Sequence, residues 1–158
     1  MKKAILLYVV GIILLGTGCQ TPRRLNMYVP ADYEQYKEPG IETVTGQAFR
    51  RQRGGGVVYG AGSTISMMPV TAYTMEIMNR EIIGGLELTP PRSPALWEFI
   101  FTNQADGEGN FEFKNLPAGD YYIYGDVVWI IDDEIQGGIL VKRVEVGSGE
   151  REKVMLTK

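Results

Sequence analysis

From Glu42 onward the apolar residues recur mostly at every second position, in short segments separated by Gly, Pro, Asn or Asp. Successive side chains of a strand point to opposite faces, so this spacing lets each segment bury one face and leave the other to solvent. Two sheets packed face to face satisfy such a pattern. The spacing predicts strands over residues 42–50, 62–69, 96–103, 109–115, 119–131, 136–146 and 151–157, which makes an all-β, seven-stranded β-sandwich. Trp97, Phe99 and Phe101 fall on one face of the third segment, and Phe111 and Phe113 on one face of the fourth, where they form the expected core. Asp106-Gly107-Glu108-Gly109-Asn110 between them tolerates positive φ and predicts a hairpin turn. In the fifth segment Tyr121, Ile123 and Gly125 alternate with Tyr122, Tyr124 and Asp126, giving one apolar and one tyrosine-lined face.

Two stretches break the alternation. Met75, Met78 and Ile82 recur at three- and four-residue spacing within residues 73–83, predicting one short helical insertion after the second strand. Pro90-Pro91-Arg92-Ser93-Pro94 predicts an extended connection, because stacked prolines disfavour both helix and ladder pairing.

The N-terminal residues follow a different logic. Lys2 and Lys3 precede the apolar run Ala4 to Leu15, and the small residues Gly16, Thr17 and Gly18 stand directly before Cys19, the layout of a secretory signal. The run is shorter than the roughly 20 apolar residues a membrane-spanning helix needs. Leu15-Gly16-Thr17-Gly18-Cys19 resembles the lipobox of bacterial lipoproteins, in which the signal peptidase cuts before a cysteine already carrying diacylglycerol. That resemblance implies removal of residues 1–18, acyl chains such as palmitate on Cys19, and attachment to the membrane through lipid. Gln20, standing where an aspartate would retain a lipoprotein at the inner membrane, implies the outer membrane of the cell envelope, with the periplasmic or surface face left open.

Cys19 is the only cysteine, so an intramolecular disulfide is excluded, and a thiol required for acylation accounts for it. Residues 19–41 are rich in Pro, Arg, Tyr and Glu without a clear period and read as the lipidated cysteine followed by a tether. Residues 42–158 read as the folded domain. Without residues 1–18 the chain keeps 140 residues, 14 basic and 19 acidic, a net charge of −5. This is one mildly acidic domain, and bulk charge gives no footprint for nucleic acid.

Within the domain, Phe111-Glu112-Phe113-Lys114-Asn115-Leu116-Pro117-Ala118-Gly119-Asp120-Tyr121-Tyr122 resembles the motif of carboxypeptidase regulatory-like domains, which have a transthyretin-like, or prealbumin-like, β-sandwich. A strand ends at Lys114, Leu116 plugs the sandwich edge, Pro117 and Gly119 make the turn, and Tyr121 opens the next strand. Gly46-Gln47-Ala48-Phe49, with the stretch from Gly60 to Thr74, looks like the first half of the same domain in bacterial envelope lipoproteins. The resemblance implies a non-catalytic module, since in metallocarboxypeptidases the catalytic machinery belongs to the other domain. Related pilin modules form an isopeptide bond from a first-strand lysine; here that strand carries Gln47 and Arg50 instead, and the bond is not carried over.

The residue inventory narrows the chemistry further. The chain has no histidine, and acylation would consume its one thiol, so Ser-His-Asp, Cys-His and zinc-histidine centres are excluded. A carboxylate-dependent hydrolase would draw on Asp126, Asp132, Asp133 and Glu134, although the last three read as a solvated hairpin. Asp106, Glu108 and Asn110 have the first oxygen spacings of a calcium loop, but Phe111 stands where its glycine is required and Pro117 where its bidentate acid is required. No cofactor or metal is expected. Arg50, Arg51 and Arg53 before Gly54-Gly55-Gly56 suit an anionic partner, and Trp97, Tyr122, Tyr124 and Trp129 suit stacking on sugar rings. A solvated loop and an aromatic core are the plainer readings of these two sets. The expected function is that of a non-catalytic envelope lipoprotein that binds a protein or glycan partner or supports an envelope assembly. A carbohydrate-binding module and a carboxylate hydrolase are the alternatives.

Overall fold

The computed structural model describes residues 21–52, 54–147, 149 and 151–158. The strands form two four-stranded sheets. In the first, β1 (Glu42–Arg51) is paired along one edge with β8 (Arg151–Leu156), in parallel, and along the other with β5 (Asn110–Leu116), antiparallel. The last residues of β1 pair with β2 (Val57–Tyr59). The second sheet runs β4 (Phe101–Gln104), β3 (Thr64–Pro69), β6 (Gly119–Ile131), β7 (Glu134–Val146), antiparallel throughout.

Alternation decides which residues meet between the sheets. Val44 and Ala48 of β1, Phe111 and Phe113 of β5, and Val154 and Leu156 of β8 are buried against Ile65, Met67, Tyr121, Ile123, Val127 and Leu140 of the second sheet. Each such aliphatic or aromatic side chain contributes about 1.5–3 kcal/mol on burial. Gly46 belongs to the same inward set, and a Cβ there would collide with the Phe111 ring, so the glycine lets that ring lie across β1. Leu116 is fully buried where β5 ends.

The sandwich has eight strands among the described residues, one more than the seven expected from the sequence. The additional strand is β2, only three residues long and directly after a glycine run that reads as loop; its pairing with β1, Tyr59 opposite Phe49, is a tertiary effect that local pattern does not announce. The segment expected as one strand over residues 96–103 divides. Pro94–Phe99 is a 3₁₀ helix, and only Phe101–Gln104 joins the sheet. Pro94 sits at the start of that helix with its φ already set for it, after an extended Ser93. Consequently Trp97 is 62% exposed while Phe99 is buried, and the two do not share a strand face with Phe101. The helical insertion is present after β3: α1 (Ala72–Glu76) begins with a capping box between Thr71 and Thr74 and continues through a wider, π-type turn over Ile77–Ile83.

Of the segment read as a tether, the described residues 22–36 pack against the sandwich instead. Pro30–Tyr36 is a 3₁₀ helix whose Tyr33 and Tyr36 are buried. The Tyr33 ring stacks on Tyr28 at 4.8 Å and tilts against Phe99 at 4.8 Å, and its hydroxyl meets Thr71 Oγ1 at 3.0 Å. Burial raises the Tyr33 phenol to about 12. Tyr36 donates to the carbonyl of Asp120 at 3.2 Å. Composition rich in proline and charge suggested a solvated linker, but aromatic burial of this size outweighs the ordering cost of the segment.

Upstream, the chain is clamped to α1 and to the connection that follows it. Glu76 accepts from the backbone N–H of Leu25 at 2.8 Å and of Asn26 at 2.6 Å, from Asn26 Nδ2 at 3.0 Å, and from Arg80. Burial alone would raise this carboxyl; the four donors outweigh it and hold its pKa at about 2. Arg24, also buried, pairs with Glu81 at 2.5 Å, donates to the Pro90 carbonyl at 3.0 Å and lies over the Tyr73 ring.

The chain therefore enters at the end of the sandwich where Glu42 lies opposite Leu116 and Pro69 opposite Tyr121. From Gly119 at that end, β6 runs to Ile131, about 40 Å at strand rise. On one edge β3 covers only Tyr121 to Gly125, so the rest of the β6–β7 hairpin projects as an arm at the opposite end.

Candidate functional site

Cys19 and Arg53 lie outside the described residues. Of the remaining candidates, Arg50, Arg51 and Trp129 converge. Arg50 and Arg51 end β1, opposite Val58 and Val57 of β2, and Trp129 stands on the arm opposite Gln136 of β7. Together with Gln52, Ile131 and Gly137 they line a cleft of ≈ 610 Å³ between the end of β1 and the arm.

Two glycines shape β7 beside the cleft. Gly137 and Gly138 have φ of 96° and 127°, in the region that favours glycine. A Cβ at Gly137 would sit 2.1 Å from the Val127 carbonyl oxygen and 2.9 Å from the Trp129 ring, so only a glycine lets the β6 backbone and the indole lie this close to β7. Arg50 reaches across the same gap and donates from Nη2 to the carbonyl of Ile139 at 2.9 Å. Arg50 Nε and Trp129 Nε1 are buried and find no acceptor among the described residues. Arg51 is exposed beside them. Chemically, the cleft offers a guanidinium, an indole face and a carboxamide: the combination that receives an anionic or hydroxyl-rich group stacked on an aromatic ring.

The four aromatics expected to form one stacking platform are not brought together. Tyr122 and Tyr124 are an odd number of positions from Trp129 on β6 and therefore face the other side of the sheet. There Tyr124 is partly covered; burial raises its phenol, and a hydrogen bond with Ser66 works against that shift. Trp97 sits on its 3₁₀ helix, which leads into β4 at the Met67 end of β3, away from the arm. Gln136 and Gly137 were missed in the sequence, although a Gly-Gly pair within a strand pattern is itself a signal of close backbone approach.

The acidic candidates have ordinary structural placements. Asp132 and Asp133, with φ of 50° and 64°, form the exposed turn of the arm next to Glu134, and Asp126 is exposed on β6. Asp106 turns the hairpin before β5: its carboxylate accepts from the Asn110 side chain and from the backbone N–H groups of Asn110 and Glu108, which lower its pKa. Among the described residues no group of three His, Cys, Asp or Glu is placed to hold a metal ion.

A second, more open groove runs from the first sheet to β4 of the second, lined by Thr45, Gln47, Asn103, Gln104, Glu112, Lys114 and Lys153. Two of its polar groups are engaged: Lys114 pairs with Glu112 at 2.9 Å, and Gln47 donates to the neighbouring Glu108 carbonyl at 2.9 Å. Its chemistry is that of a solvated sheet face.

No protein-family model matches the chain, and no curated protein sequence matches it. A crystal structure from Pseudomonas aeruginosa, of a protein whose suggested role is carbohydrate binding, aligns over 85% of this chain and 100% of that chain with a TM-score of 0.72 and 22% identity. The likeness is one of fold. The pilus backbone protein of Streptococcus pneumoniae aligns at 14% identity over 73% of this chain and 41% of that chain, with a TM-score of 0.31, too low to support an argument.

Proposed function

We propose that this chain is a lipid-anchored, non-catalytic β-sandwich of the bacterial cell envelope, of the prealbumin-like type, that binds a glycan bearing anionic groups in the cleft of Arg50, Arg51 and Trp129. The observation that carries the reading is the cleft itself, where the end of β1 with Arg50 and the exposed Arg51 meets Trp129 and Gln136 of the arm. Carboxylate or phosphate groups on a sugar pair with arginine through charge-assisted bonds, and a pyranose ring covers an indole. The role suggested for the Pseudomonas aeruginosa protein agrees with this, but the reading rests on the cleft. Lipidation at Cys19 and delivery to the outer membrane belong to the same proposal and rest on the lipobox-like segment.

A protein partner is the second reading, favoured by the arm. Val128, Ile130, Ile131 and Ile135 are exposed there, with Ile130 at 71% and Ile135 at 77%, and exposed apolar side chains in such density on one hairpin suit a protein surface.

An array of envelope polysaccharides carrying uronic acid, phosphate or no charge, probed with residues 21–158, separates the readings. Retention on the charged glycans, lost with Arg51→Ala, supports the cleft. Equal indifference to every glycan, with retention of an envelope protein instead, would transfer the function to the arm.

A further inference from the structure

The surface beside the chain's entry point carries exposed apolar side chains that the fold leaves uncovered. Exposure alternates along the segment that the Glu76 clamp holds: Asn26 and Tyr28 turn inward to Glu76 and Tyr33, whereas Leu25 is 75% exposed, Met27 60% and Val29 46%. Met75 of α1, 40% exposed, shares a shallow depression with Leu25. We infer that this row, Leu25, Met27 and Val29 with Met75, rests on the surface of the lipid bilayer. The inference depends on the proposal that Cys19 is acylated.

Two observations commit the row to lipid. The chain is fixed to the domain from its first described residues: Thr89 donates to the Pro22 carbonyl at 3.0 Å, Arg24 donates to the Thr89 carbonyl at 2.7 Å, and the Glu76 and Arg24 contacts follow at once. Only Gln20 and Thr21 separate Cys19 from Pro22, and the three steps from Cys19 to Pro22 span at most about 10 Å when fully extended. An acyl anchor at Cys19 therefore holds this end of the sandwich against the headgroups, with no tether to lift it away. Apolar side chains at that depth exchange water for the boundary between headgroups and acyl chains, as on proteins that lie on one leaflet. The cleft and the arm then point away from the membrane, because β6 carries them to the opposite end.

The mature, lipidated protein reconstituted in vesicles of phosphatidylethanolamine and phosphatidylglycerol tests this. Acylation leaves the parent chain without a free thiol, so Leu25→Cys, Met75→Cys or Asp133→Cys supplies a unique site for an environment-sensitive fluorophore. Contact shifts the emission of labels at positions 25 and 75 to the blue and lets nitroxide-bearing lipids quench them, while the label at 133 stays unquenched. An unquenched label at 25 on protein that floats with the vesicles overturns the contact and leaves the anchor standing. A parent chain that takes maleimide and does not float overturns both. A blue shift without quenching by lipid, retained in detergent, identifies a second copy or another protein over the row and likewise overturns the inference.

Discussion

The backbone N–H of Asn26 donates to the Glu76 carboxylate at 2.6 Å, and this contact joins the N-terminal segment to the helical insertion of the sandwich. Because the folded-state pKa of Glu76 lies at about 2, below its ordinary 4.5, its stabilisation is complete above about pH 4.5 and is lost as pH falls toward 2. A depression of that size corresponds to about 3 kcal/mol. Amide hydrogen exchange of Leu25 and Asn26 should accelerate through that window. Glu76→Gln should remove the pH dependence and cost about 1–3 kcal/mol at neutral pH.

Leu116 should be among the most sensitive core positions. It is fully buried where β5 ends, so Leu116→Ala should cost about 2–5 kcal/mol in denaturant unfolding. Leu116→Asp should be worse, since it adds an uncompensated charge. A wild-type midpoint in either variant would contradict the packing described here.

The sheets were legible in the sequence because period-two alternation survives burial: Tyr121, Ile123 and Val127 face the core as their spacing requires. The N-terminal segment was not, because nothing local marks Tyr33 and Tyr36 as partners of Phe99 and Tyr121, residues far along the chain. Strand β2 was hidden for the same reason. Of the candidate site, Arg50, Arg51 and Trp129 were each visible as residue types suited to a ligand, but as two unrelated sets. Only the fold of the β6–β7 arm over the end of β1 makes them one cleft, and the same alternation that defines the core sends Tyr122 and Tyr124 to the other face.

Gly137 should prove specific to the cleft. Gly137→Ala must accommodate a φ of 96°, a Cβ 2.1 Å from the Val127 carbonyl oxygen and the same Cβ 2.9 Å from the Trp129 ring. The expected result is a loss of about 1–3 kcal/mol with a changed environment for Trp129, read from its near-ultraviolet dichroism. An unchanged signal would show that the indole does not rest on β7.

Lipidation at Cys19 is expected from the lipobox-like segment. Metabolic labelling with a fatty-acid analogue should tag the wild type, and Cys19→Ala should lose the tag and leave the membrane fraction. Label retained in that variant would remove the basis for the anchor.

The central claim, that the cleft of Arg50, Arg51 and Trp129 binds an anionic glycan, is tested most directly by the fluorescence of Trp129 itself. The chain has two tryptophans, and Trp97 stands exposed on its own 3₁₀ helix, so Trp97→Phe leaves Trp129 as the single reporter. Titration of that variant with a uronic-acid oligosaccharide should give a saturable change in emission. Adding Arg51→Ala should weaken the apparent affinity roughly tenfold or more, the loss expected for one charge-assisted contact of at least about 1.4 kcal/mol. No change in Trp129 emission with any charged glycan, from protein shown to be folded, would contradict the account.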